Sequence, residues 1–131
     1  MTSSPSFADR WSLESWFSGF GAADYEAFKT SLPGEVATLA VKVSSIAGAG
    51  VRDTAAVIAE TESLYERVGH LGSFLGCLSA DDATNEAVKA DEAWMSGVWA
   101  EVNKLMAALR STLTALDEKA FAGLLAEPVL K

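Results

Sequence analysis

The chain has 131 residues, half of them apolar, and carries a formal net charge of -8 from 18 Asp and Glu against 10 Lys and Arg. That length fits one domain with apolar side chains enough for a single core. The acidic balance argues against nucleic acid and anionic membranes as partners, since both reward clustered Lys and Arg.

Residues 1–10, rich in Ser and Pro, read as a disordered leader, and residues 11–131 as one helical domain. The leader lacks the basic flank and apolar stretch of a secretory signal. The longest run free of Asp, Glu, Lys and Arg, Val68 to Ala80, is too short and too rich in glycine to span a bilayer. The lone cysteine, Cys77, cannot form an internal disulfide, which fits a reducing compartment. A cytoplasmic protein is expected.

Apolar residues recur at three and four positions and nowhere alternate for long, so the expected fold is an all-α antiparallel bundle. Three long helices and a short C-terminal one should build it. The first stripe is Tyr25, Phe28, Leu32, Val36, Leu39, Val43 and Ile46, with Asp24 as N-cap and "AGAG" (47–50) as its end. Pro33 lies in its middle, but the stripe keeps its phase, which predicts a helix kinked at Pro33, or two nearly collinear helices. A second helix from about Asp53 carries Val57, Leu64, Val68, Leu71, Leu75 and Leu78. A third, capped by Asp81 or Asp82, carries Trp94, Val98, Val102, Leu105, Leu109, Leu113 and Leu116. Met95, Trp99 and Met106 widen its apolar face, which predicts contacts on two sides and an exposed apolar surface. Asp117 should cap the last helix, with Leu116 stapled to Phe121, and Pro128 should stop it.

The stretch "YERVGHLGSFLGCLSADD" (65–82) holds the only His and the only Cys. His70 and Cys77 stand two turns apart, about 11 Å along a helix, too far for a base to activate a thiol. Cys77 therefore reads as a small buried residue and His70 as a hydrogen-bonded or surface histidine. Gly69, Gly72 and Gly76 line one side of the helix. Each weakens it by about 1 kcal/mol relative to Ala, which makes sense if another backbone or a Trp of the third helix comes close. Asp81-Asp82 read as a cap and Asp91-Glu92 as a solvated face. "GAG" at 48–50 lacks the context of a dinucleotide fingerprint. No catalytic, cofactor-binding or metal-ligating residue is expected in this chain, and it should not be an enzyme alone.

In order and spacing, however, the features resemble the N-terminal helical domain of oligoendopeptidase F-type zinc metallopeptidases. "WSLESWF" (Trp11 to Phe17) is similar to their W-x-L-x-x-x-F/Y start. Asp82-Ala83-Thr84-Asn85 resembles their D-x-T-(D/N) turn, and Glu127-Pro128-Val129-Leu130 their acidic-Pro-x-Leu ending. The similarity runs from Trp11 to Lys131, although Gly, His and Phe stand where the family has tyrosines near the end of the second helix. It implies a non-catalytic domain that walls the substrate channel of a peptidase acting on oligopeptides. The zinc, held by H-E-x-x-H and a later Glu, would belong to a catalytic lobe outside this chain. That lobe would be the domain's main partner, and the chain would be a fragment or a truncated reading frame. The alternative is a free-standing helical interaction module, a homodimer through the exposed face of the third helix.

Overall fold

The computed structural model describes residues 12–131, so the leader over 1–10 and Trp11 of the opening motif lie outside the described residues. Regular structure among those residues is entirely helical, as the apolar spacing requires. The elements are α1 (Ala23–Ser45), α2 (Val51–Asp81), α3 (Glu86–Thr114), α4 (Glu118–Leu125) and a 3-10 turn, Pro128–Leu130.

The three long helices contact one another pairwise, while α4 and the 3-10 turn pack on α2. Along α1 and α2, Lys42 meets Glu60, Glu35 meets Arg67, and Tyr25 meets Phe74, so the two run antiparallel. Tyr25, near the start of α1, reaches Asp91, near the start of α3, so α1 and α3 run the same way. The core is one cluster drawn from all three helices, including Leu32, Val36, Leu71, Phe74, Val102 and Leu105. Burying one such side chain contributes about 1.5–3 kcal/mol.

α1 continues through Pro33 as a single helix. The proline cannot donate to the Lys29 carbonyl, but Leu32, Val36 and Leu39 on either side are buried in one stripe. Packing of that stripe holds the turn that the missing bond weakens. Gly48, at φ 81, then reverses the chain toward α2 in a region that favours glycine.

Three of the four expected caps are corrected. α1 and α2 start at Ala22 and Gly50 without side-chain caps, and Asp24 and Asp53 lie inside their first turns. One oxygen of the Asp24 carboxylate is engaged outside the helix, accepting from the Ser18 amide at 2.8 Å and its hydroxyl at 3.0 Å, while the other accepts from the neighbouring Tyr25 amide at 2.9 Å. These bonds, the Ser18 amide's foremost, hold Asp24 below the usual carboxylate range. Asp81 ends α2 and does not open α3. Asp82 accepts from the Thr84 hydroxyl at 2.6 Å and its amide at 3.0 Å, closing an Asx turn. Asn85 caps α3, accepting from the Ala87 and Val88 amides. Only Asp117 caps as expected, accepting from the Ala120 amide at 2.7 Å.

The glycine row resolves unequally. A Cβ on Gly72 would lie 3.6 Å from the Trp99 indole nitrogen, whereas one on Gly69 or Gly76 meets nothing within 4 Å. The close approach is therefore to a Trp side chain and only at Gly72. Gly69→Ala and Gly76→Ala should each stabilise the protein by about 0.5–1 kcal/mol, through helix propensity and a less flexible unfolded chain. Gly72→Leu should cost about 1–3 kcal/mol by overpacking. Thermal melts of the three variants check the order, and a destabilised Gly76→Ala would mean that the open side of α2 is occupied in solution. Cys77 is exposed, correcting the expectation of burial: the stripe at this end of α2 is Leu71, Phe74 and Leu75, and Cys77 lies off it.

Candidate functional site

The residues before α1 form a turn, with the Trp16 amide donating to the Leu13 carbonyl at 2.9 Å. That turn drives Phe17 into the bundle, where it is 5 % exposed. Its ring meets Phe74 at 4.9 Å, Phe28 at 5.2 Å and Tyr25 at 5.6 Å, all edge-on. Edge-to-face pairs of this kind add about 0.5–1.5 kcal/mol beyond burial. Trp16 covers the pile from outside, stacked on His70 at 4.9 Å and 14°. His70 is thus a half-buried member of an aromatic cluster. Arg67 caps Phe28 at 4.3 Å while its guanidinium donates twice to Glu35 and once to Ser31.

A polar joint lies next to this cluster. The hydroxyl of fully buried Tyr25 donates to Asp91 at 2.6 Å, and the Lys29 ammonium donates to the other carboxylate oxygen at 2.8 Å. Lys29 also lies 5.2 Å from the Trp94 ring centre. Burial, then the hydrogen bond and the charge of Asp91, push the Tyr25 hydroxyl far above its ordinary range. The sequence reading of Asp91 as solvated is corrected: both its carboxylate oxygens are used. Val88, Asp91, Met95 and Val98 share one side of α3, and a carboxylate on that stripe was the available signal.

Two apolar grooves remain open on the bundle. One, of about 430 Å³, lies between α2 and α3 and is floored by Ile58, Met106, Leu109 and Leu113, with Tyr65, Glu62 and Glu66 at its edge. Trp99 stands beside it, edge-on to Tyr65 at 5.1 Å. The other, of about 450 Å³, lies between α1 and α3. Met95 is 3 % exposed in the core, Trp99 and Met106 are partly buried against it, and none of the large exposed apolar side chains lies on α3, which corrects the expected exposed apolar face of that helix.

The structure does not bring the titratable candidates together. His70 sits among rings, Cys77 is exposed off the core stripe, and Asp82 is held by Thr84. Among the described residues no three His, Cys, Asp or Glu side chains converge as a metal site, and no helix is long and apolar enough to cross a membrane. Comparisons with protein-family models, curated proteins and solved structures return no match to this chain. What the arrangement offers is surface: a helical bundle with an aromatic dock at one end and two apolar grooves along its length.

Proposed function

We propose that this chain is the non-catalytic N-terminal helical domain of an oligoendopeptidase F-like zinc metallopeptidase, forming part of the wall around a channel for oligopeptides. The observation that carries the reading is where the resembling residues sit. Leu13 and Phe17 of "WSLESWF" pack on the core, with Phe17 reaching residues of α1 and α2. Asp82-Ala83-Thr84-Asn85 forms the α2–α3 corner, with Asp82 closing the turn and Asn85 capping the next helix. Residues that resemble a family's motif thus perform the joints of this bundle. In such a domain the groove between α2 and α3, apolar with a carboxylate edge, suits the wall of a channel that admits unfolded peptide.

The zinc of that reaction does not fit this chain. Its single His cannot supply the two imidazoles of H-E-x-x-H, and no group of donors replaces them among the described residues. Zinc chemistry, lowering the pKa of a bound water, would belong to the catalytic lobe. The purified chain should therefore hold no stoichiometric zinc and leave a fluorogenic oligopeptide uncleaved, and the reading frame beyond Lys131 should encode an H-E-x-x-H. Stoichiometric zinc with chelator-sensitive cleavage by the chain alone would overturn the proposal, and so would a full gene without that motif.

A further inference from the structure

We infer that the groove between α1 and α3 is a pairing face for a second copy of this chain, α3 against α3 and antiparallel about a two-fold axis. Val36, Val43, Val98 and Leu105 form the buried apolar floor of the groove, and its exposed sides are small and uncharged, Ala37 and Ala40 from α1 and Gly97 and Ala108 from α3. A Cβ built on Gly97 meets nothing within 4 Å, so another helix has room to approach. Glu101 and Lys104 lie on the rim, one turn apart, paired at 2.7 Å with their side chains largely exposed.

The spacing of that pair selects the occupant. A two-fold axis between the two residues sets each Glu101 against the Lys104 of the other copy, making the contact twice. The same axis sets Gly97 opposite Ala108, and the bulky Trp94 opposite Ser111, large against small. Charge agrees with shape. Copies that each carry -8 repel across most orientations, and one acid balanced by one base makes this face able to approach itself. The groove is lined by 12 residues, fewer than the roughly 20–30 per side of a standard stable interface, so the pair should be weak and concentration-dependent. This inference stands apart from the peptidase-domain reading, and its failure would leave that reading intact.

Sedimentation of the wild-type chain should show monomer and dimer in exchange from tens of micromolar to millimolar concentration. E101K and K104E should each weaken association about tenfold or more, because each sets like charges against each other twice. E101K/K104E restores both pairs with their signs exchanged, and should return association to near the wild-type value. The two single variants change net charge in opposite directions, so weakening by both cannot come from overall repulsion. A chain that stays monomeric throughout, single variants that associate like wild type, or a double variant that stays as weak as the singles would each overturn the inference.

Discussion

Asp91→Ala should destabilise the bundle by about 2–4 kcal/mol, far more than removal of an ordinary surface carboxylate. The carboxylate accepts from two donors that come from α1, the Tyr25 hydroxyl and the Lys29 ammonium. The Lys29 and Asp91 side chains are only 18 % and 15 % exposed, so water replaces the lost bonds poorly. Removing one partner of a buried pair is costly because it strands the other, and a buried hydroxyl without an acceptor costs about 1–3 kcal/mol by itself. Tyr25→Phe removes one donor and leaves Asp91 paired with Lys29, so it should cost about 1 kcal/mol. In the double variant the hydroxyl stranded by Asp91→Ala is absent, so its cost should fall below the sum of the singles. Urea titrations of the four proteins give these values, and a cost under about 0.5 kcal/mol for Asp91→Ala would mean that water enters the joint freely. The joint also sets an alkaline limit. Tyr25 titrates higher folded than unfolded, so its contribution is complete below about pH 10 and is lost as pH rises beyond that. In Asp91→Ala the hydrogen bond and charge are gone and burial remains, so the alkaline loss should begin at the same pH but be smaller and finish at lower pH.

The helices were legible in the sequence because each buries a continuous stripe. Val98, Val102, Leu105 and Leu109 are buried where three-and-four spacing puts them, and the stripe through Pro33 stays buried on both sides of it. Spacing reports which side of a helix is apolar, but not which polar residue two helices share. Tyr25 and Asp91 are 66 positions apart, and nothing local to either marks the other. The cap assignments missed for a related reason. A carboxylate near a helix start can satisfy the helix's own amides or those of the incoming chain, and Asp24 serves Ser18 while Asp82 serves Thr84. The glycine row was read as one contact surface, yet contact depends on what the facing helix presents at each level. Only at Gly72 does α3 present a tryptophan.

Phe17→Ala should cost about 3–5 kcal/mol, the range for removing a buried phenyl ring. Phe17 is 5 % exposed and meets rings from both α1 and α2, so its loss leaves a cavity bounded by Tyr25, Phe28, Phe74 and His70. These walls belong to long helices and cannot close on the gap without disturbing the core, which places the expected cost high in the range for such substitutions. The loss should also be uneven. The turn from Leu13 to Phe17 joins the core through those two apolar side chains, while nearly all the rest of that core comes from α1, α2 and α3. At temperatures well below the melt the variant should therefore keep its helical far-UV circular dichroism, lose part of the near-UV aromatic signal, and become open to protease cleavage before α1. Trp16→Ala removes a ring that is 36 % exposed and stacked on one partner, so it should cost no more than about half as much and leave protection largely intact. If Phe17→Ala instead melted like wild type and resisted protease, the segment would be anchored by something other than the aromatic dock. The support it gives to the peptidase-domain reading would then be lost, because that reading depends on the opening motif being a joint of the bundle.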